Sequence, residues 1–307
     1  MKKFKSILVT GGAGFIGSHV VRRLLKQYPD CQIINLDSLT YAGNLENIKD
    51  CQDATNYHFR KESINNFEIL QSLFKTYGFD AVVHLAAESH VDNSISGPEV
   101  FLQTNIMGTF TLVDVARSFW MDAPFVVKPG KEHCRFLHVS TDEVYGTLGE
   151  TGLFEETTPY APNSPYSASK ASSDFVIRSY FHTYGMNVVT TNCSNNYGPK
   201  QHDEKLIPTI MRKALASEPI PIYGDGKNIR DWLYVLDHCK GIQLVFDKGL
   251  SGETYNIGGR NERDNLYIVN HICEILDQKR PLANSKYAEL ITFVQDRAGH
   301  DMRYAID

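Results

Sequence analysis

The 307-residue chain has no apolar stretch near the roughly 18 residues needed to cross a bilayer, so no membrane partner is expected. Cysteine is sparse and scattered. The six, at positions 31, 51, 134, 193, 239 and 273, show no paired spacing, which argues against a disulfide framework or a zinc site and for a reduced, cytoplasmic protein. The eleven histidines include no H-E-x-x-H spacing, and no metal is expected. Nor is there an excess of positive charge. With 31 Lys and Arg against 36 Asp and Glu, the net charge of -5 gives nothing to favour nucleic-acid binding. Internal repeats and low-complexity linkers are missing too. The basic start Met1-Lys2-Lys3-Phe4-Lys5 leads only to Ile7-Leu8-Val9 and then glycines, a strand entering a turn and not a signal peptide.

What is present is an ordinary globular composition, 42% hydrophobic and 22% charged, at a length that suggests about two domains. Strands are expected at Ser6–Thr10, Gln32–Asp37, Ala81–Ala87, Arg135–Ser140 and Asn187–Asn192. Helices are expected at Gly14–Gln27, Phe67–Tyr77, Glu99–Arg117 and Tyr166–Tyr184. This alternation predicts an α/β, Rossmann-type doubly wound parallel sheet. After Tyr197 the prolines at 199, 208, 219 and 221 and the turn Gly224-Asp225-Gly226 mark shorter elements of a smaller C-terminal substrate-binding domain. The expected division is 1–198 plus 232–258 for the cofactor and 199–231 plus 259–307 for the substrate. Segment 99–117 carries more than one apolar stripe, including Val100, Leu102, Met107 and Phe110, and Phe175 adds to it from 166–184. A second apolar face needs a second partner, so a homodimer through these helices is expected.

Gly11-Gly12-Ala13-Gly14-Phe15-Ile16-Gly17 lies between the first strand and the first helix. Glycines there let the backbone approach a pyrophosphate, and the helix start offers N–H donors. Asp37 follows Gly17 by 20 residues at the end of the second strand, placed to accept from ribose hydroxyls. No Arg occurs in 38–47, which favours NAD over NADP.

Tyr166 and Lys170, at i and i+4, share a helix face. Such a tyrosine exchanges a proton with a substrate hydroxyl as hydride moves, while the lysine lowers its pKa and bonds the nicotinamide ribose. Thr141 can share that proton. Asp142 and Glu143 sit beside Thr141 where a parallel sheet places its ligands, and two such carboxyls can divide acid and base work. The combination reads as oxidation, elimination of water and reduction in one pocket.

With these motifs the chain resembles the extended short-chain dehydrogenase/reductases, and among them the dTDP-glucose 4,6-dehydratases. The likeness runs from Ile7 to the last residue. Its most specific parts are Thr141–Gly146, Cys193–Pro199 and Glu204–Pro208. The resemblance implies that Tyr166 takes the sugar 4-hydroxyl proton, Glu143 removes the C5 proton and Asp142 protonates the departing 6-hydroxyl. NAD ends the cycle unchanged and stays bound. By matched position the cofactor site gains Phe15, Ile16, Ser38, Leu39, Thr40, Asn44, Ser63, Ile64, Leu85, Ala86, Ala87, Thr104 and Asn196. The nucleotide sugar is assigned Ser89, Thr141, Asn195, Lys205, Leu206, Pro221, Tyr223, Arg230, Asn265, Arg297 and His300, among which Lys205, Arg230 and Arg297 suit a diphosphate.

The chain departs from the family pattern at several points. Ser63 stands where an Asp usually bonds the adenine amino group, which implies weaker NAD binding. Asn93 replaces an Arg, and Lys200 and Asp203 replace an aromatic and a proline before Glu204. Family members continue a few tens of residues past the match to Tyr304–Asp307, so a shortened C-terminus with reduced stability or activity is expected. UDP-glucose dehydratases carry very similar motifs and stay open as an alternative. Nucleotide-sugar 4-epimerases and uronate decarboxylases share the glycine loop, Tyr and Lys but lack the Asp-Glu pair. A catalytically silent NAD-binding regulator would tend to lose Tyr166 or Lys170, and both are kept. Rhamnose or another surface deoxysugar is a plausible destination of the product.

Overall fold

The structure, a computed structural model, describes residues 4–307; Met1, Lys2 and Lys3 of the basic start lie outside the described residues. Seven strands form the main sheet: β1 (Ser6–Thr10), β2 (Gln32–Asp37), β3 (Tyr57–Lys61), β4 (Ala81–His84), β5 (Arg135–Thr141), β6 (Val188–Cys193) and β7 (Thr254–Ile257). They run in the order β7-β6-β5-β4-β1-β2-β3, and every neighbouring pair is parallel. Parallel strands need crossovers, and these put helices on both faces. The helices are α1 (Phe15–Gln27), α2 (Phe67–Tyr77), α3 (Thr109–Trp120), α4 (Pro165–Tyr184), α5 (Leu206–Leu215), α6 (Val235–Lys248) and α7 (Asn265–Lys279).

Strand β1 shows why the sequence selects this arrangement. All five of its residues are buried. Ile7 and Val9 pack with Val20 and Leu24 of α1 and Ile242 and Phe246 of α6. Leu8 points to the other face, into Leu70 and Phe74 of α2, Leu112 and Val113 of α3 and Ile177 of α4. Each fully buried aliphatic side chain contributes on the order of 1.5–3 kcal/mol, so an uninterrupted apolar strand is stable only where both faces are covered. Strand order reverses between β1 and β4, and the loops after these two strands part there to open a crevice.

Beyond β6 lie two smaller sheets. Asn195–Tyr197, Ile229–Tyr234 and Glu262–Asp264 form a three-stranded sheet, and Ile220–Tyr223 pairs in parallel with Ile291–Val294. Helices α5 and α7 close over the latter pair, around Ile210, Ile222, Val269 and Tyr287.

Two expectations need correction. The strand expected at 81–87 ends at His84, and Leu85–Ala87 is irregular. Segment 99–117 is not one regular helix. A helical turn at Pro98–Phe101 leads into π-helix over Leu102–Gly108 before α3 begins. The wider π turn accompanies a buried Asn105, whose amide accepts from the Glu88 N–H (2.8 Å) and donates to the Glu88 carbonyl (3.0 Å) and to Ser169 Oγ (2.8 Å).

Candidate active site

A cavity of about 460 Å³ lies across the C-terminal ends of β2, β1, β4 and β5. From Asp37 at the end of β2 to Thr141 at the end of β5 is three strand spacings, about 14 Å. An extended dinucleotide fits along that length.

At one end of the cavity the glycines keep the floor low. Gly11 has φ +73°, and a Cβ there would meet the Ala86 nitrogen at 2.7 Å. A Cβ on Gly17 would collide with the Gly11 carbonyl oxygen. Gly14 caps α1 without a side chain, so the first N–H groups of the helix face the cavity unscreened. Asp37 is fixed by two backbone donors, Ala13 N–H (2.9 Å) and Leu39 N–H (2.8 Å). A Cβ on Gly43 would lie 2.9 Å from its Oδ1, so a glycine keeps that side of the carboxylate clear. Burial raises the Asp37 pKa, against the pull of the two N–H groups. This end fits NAD: donors for a pyrophosphate lie one step from an acceptor for a ribose.

The chain between Asn195–Tyr197 and α5 crosses above this floor. His19 Nε2 lies 3.0 Å from the Pro199 carbonyl, and Lys200 Nζ donates to the Asn47 carbonyl at 2.5 Å. Gln201 and His202 line the cavity, with the His202 ring edge-on to Tyr41 at 5.5 Å. Lys200 holds φ +72°, a left-handed conformation uncommon outside glycine.

The other end holds the expected catalytic residues together. Thr141, Asp142, Glu143, Tyr166 and Lys170 all line the cavity. Thr141 ends β5 and caps the short helical turn Asp142–Tyr145 by accepting from the Glu143 N–H (3.3 Å). A Ser164–Ser167 capping box with Pro165 at the first position starts α4 and fixes Tyr166 in its first turn. Asp142 is 2% exposed, and its Oδ2 is buried without a hydrogen-bond partner among the described residues. Burial first, and the charge of Glu143 second, hold the Asp142 carboxyl well above the usual carboxylate range. Burial also raises Glu143, but Arg297, Arg230 and Lys205 pull it back.

The lysine was expected to lower the tyrosine pKa. The opposite net direction is found, because burial and the Glu143 charge push Tyr166 well up while Lys170 Nζ is turned to the Val139 carbonyl at 3.0 Å.

Of the positions assigned to the cofactor by resemblance, Phe15, Ile16, Ser38, Thr40, Ser63, Ile64, Leu85, Ala86, Ala87, Thr104 and Asn196 line the cavity. Gly12, Leu39 and Asn44 do not. Gly12 is pressed against the Asn35 side chain, Leu39 offers its N–H to Asp37, and Asn44 caps the helical turn at Leu45–Cys51. On the substrate side Ser89, Asn195 and Lys205 line it, and Lys205 Nζ donates to the Ser89 carbonyl at 2.8 Å. Leu206, Pro221, Tyr223, Arg230, Asn265, Arg297 and His300 lie outside this cavity, the first five on C-terminal helices and strands and the last two in the irregular segment after Val294. They are not remote from it, since Arg230 and Arg297 both act on Glu143. The Arg230 guanidinium bonds the carbonyls of Ile229 (2.7 Å) and Asp301 (2.9 Å) and stacks on Tyr304. Tyr223 and Arg297 reach Asp92 at 3.2 and 3.5 Å, and His300 reaches Asp296 at 2.6 Å.

Sequence reasoning missed Glu88, Cys193, Ser194, Gln201, His202 and Glu204, which also line the cavity. Glu204 opens the Glu204–Pro208 motif and Glu88 follows the apolar run 81–87, so an acid at each of these places was a usable signal. Away from the cavity, Asp80, His133 and Cys134 come together, but Asp80 is already engaged by the Lys5 N–H and Lys131.

Comparison with known proteins agrees with this geometry. The family model described as GDP-mannose 4,6 dehydratase matches residues 8–307. A dTDP-glucose 4,6-dehydratase of Xanthomonas campestris pv. campestris is 54% identical over 98% of this chain and 84% of its own length. The crystal structure of a dTDP-glucose 4,6-dehydratase from Bacillus anthracis, in complex with NAD, superimposes with a TM-score of 0.85 at 46% identity, covering 99% of this chain and 88% of that one. Its counterpart from Streptomyces venezuelae, also with NAD bound, gives 0.87 at 45%, covering 98% and 88%. A parallel sheet carrying a dinucleotide crevice, an acid pair at the end of β5 and identity of about one half along nearly the whole chain agree, and the chain belongs to the dTDP-glucose 4,6-dehydratase family.

Proposed function

We propose that this chain is an NAD-dependent hydro-lyase that converts dTDP-glucose to dTDP-4-keto-6-deoxyglucose. The observation that carries the reading is the convergence of Thr141, Asp142, Glu143, Tyr166 and Lys170 on one end of the dinucleotide cavity. The bound nicotinamide accepts hydride from the sugar C4 and returns it to C6. Tyr166, with Thr141 beside it, takes the proton of the 4-hydroxyl as the tyrosinate, a form that the positive charges of oxidised nicotinamide and of Lys170 favour against the burial that raises its pKa. The resulting 4-ketone acidifies C5–H, and Glu143, whose carboxylate three cations favour, removes that proton. Asp142, kept protonated by burial, gives its proton to the departing 6-hydroxyl, which leaves as water. A proton returns to C5 as C6 is reduced, and the net change is loss of one water.

Gly11–Gly17, Asp37, Ser38, Thr40, Ser63 and Ile64 hold the cofactor in this reading, and Ser89, Asn195, Lys205, Tyr223, Arg230, Arg297 and His300 the nucleotide sugar. Residues 1–198 with 232–258 form the cofactor domain, and 199–231 with 259–307 the nucleotide-sugar domain. The separate apolar cluster around Ile210, Ile222 and Val269 supports that division. A homodimer through the helices at 99–117 and 166–184 is supported by exposed Val100, Leu102, Met107, Phe110 and Phe175. Six unpaired, buried cysteines suit a reducing cytoplasm. Rhamnose or a related deoxysugar is the destination we favour for the product.

Mass spectrometry after incubation with dTDP-glucose, and in parallel UDP-glucose, tests the reading. Loss of one water from the dTDP sugar, abolished by Glu143→Gln, is expected. Loss from the UDP sugar alone reassigns the nucleotide, and an intact sugar inverted at C4 overturns the dehydratase.

A further inference from the structure

The mechanism leaves one buried ionisable group unused. Asp174 lies on α4, one turn beyond Lys170 and on the same face, and is 5% exposed. Its Oδ1 is 3.0 Å from His138 Nε2, and its Oδ2 accepts from Ser140 Oγ (2.9 Å) and Tyr160 OH (3.0 Å). Tyr160 OH in turn accepts from Asn192 Nδ2 (3.2 Å), which also donates to Tyr145 OH (2.9 Å).

Burying a carboxylate is costly unless donors and a counter-charge surround it. The donors here are neutral. His138 is itself wholly buried, which holds its pKa well down and keeps its ring uncharged. Lys170 is the cation that acts on Asp174, and Asp174 is foremost among the groups that oppose the burial of Lys170. Lys170 is 4% exposed, and its bond to the Val139 carbonyl uses one of three protons.

We propose that Asp174 is a positioning residue whose carboxylate, clamped by His138, Ser140 and Tyr160, is the counter-charge that keeps Lys170 cationic at the reacting end of the cavity. This rests on the reading of Tyr166 and Lys170 as the redox pair. It explains why an ionisable network, and not an apolar layer, lies beneath that pair.

The signs follow from the surroundings. Lys170 and Asp174 are faced by His138 on β5, His84 on β4, Tyr160 before α4, Cys193 at the end of β6, and Tyr145 through Asn192; Tyr166 lies one turn back on α4. Burial lowers the Lys170 pKa, and Asp174 followed by Cys193 raises it. Without the Asp174 charge, Lys170 loses its proton at lower pH. Burial holds Asp174 itself at about 6, so its charge is present above that pH and lost below it.

The test is the pH profile of kcat/KM with the NAD-loaded enzyme. Asp174→Asn is expected to move the alkaline limb about one unit toward acid, the low end for loss of a nearby opposite charge, with partial return in Asp174→Glu. Tyr160→Phe, which keeps the ring and removes one donor, is expected to move the acid limb upward, and it serves if Asp174→Asn does not fold. A slower enzyme with unmoved limbs in both variants makes Asp174 a packing residue and overturns the proposal. Lys170→Ala separates the two readings: if it keeps activity the redox pair is wrong, and if it is dead while the other profiles are unmoved only the role of Asp174 fails.

Discussion

Replacing Asp142 by Asn keeps shape and removes one dissociable proton. The carboxyl is buried, has an orphaned oxygen and is held well above the carboxylate range. If it is the acid that protonates the leaving 6-hydroxyl, product formation should fall about 10²–10⁴-fold, the usual worth of a positioned general acid, or about 3–5 kcal/mol of barrier. Removal of the C5 proton should survive, because Glu143 and its three cations are untouched. In deuterated water the variant should therefore return dTDP-glucose carrying deuterium at C5, whereas Glu143→Gln should return it unlabelled. Stability should move the other way. A folded pKa above the unfolded value of about 3.9 means that the fold binds the extra proton. The associated stability is complete below pH 4 and is lost as pH rises through the folded pKa. The Asn variant escapes that loss, so its melting temperature at pH 8 should equal or exceed the parent's. Near-parental turnover, or loss of C5 exchange together with product, would refute the division of labour between the two carboxyls.

Ser63 lines the cavity but spends its hydroxyl on the Asn65 N–H at 3.2 Å. Ser63→Asp, which restores the family's residue, should slow NAD dissociation by roughly three- to tenfold in a fluorescence chase, and an unchanged or faster rate counts against an adenine contact there. Lys200→Ala removes the 2.5 Å bond to Asn47. Discounted for partial exposure, that bond is worth about 1 kcal/mol, so the same chase should run about fivefold faster. Met107→Glu with Phe110→Glu places charge on the exposed apolar stripe. Analytical ultracentrifugation should show a dimeric parent and a monomeric variant, and equal masses would remove these helices from any interface.

The sheet was legible because its signals are local. Ser6–Thr10, Gln32–Asp37 and Phe67–Tyr77 have the expected bounds, each set by an apolar run or by a cap such as Asn66 and Gly78. The acid pair and Tyr166–Lys170 were legible because one strand end and one helix turn position them. What was missed depends on distant chain. Leu85–Ala87 reads as strand because apolar residues serve a cavity wall as well as a sheet. The π turn has no periodicity to announce it, and its counterpart is the Glu88 backbone, 17 residues away from Asn105. Even the direction of the Tyr166 pKa turned on burial and Glu143, which spacing along α4 does not reveal.

The crossing of Pro199–His202 over the dinucleotide floor has a consequence for the cell. This segment is clasped to α1 through His19 and to the turn at Leu45–Cys51 through Lys200. A redox carrier that is regenerated in place and shut in by such a clasp does not sample the surrounding pool. A carrier so held would leave turnover independent of the ratio of free oxidised to reduced nicotinamide, with the rate set by the sugar substrate.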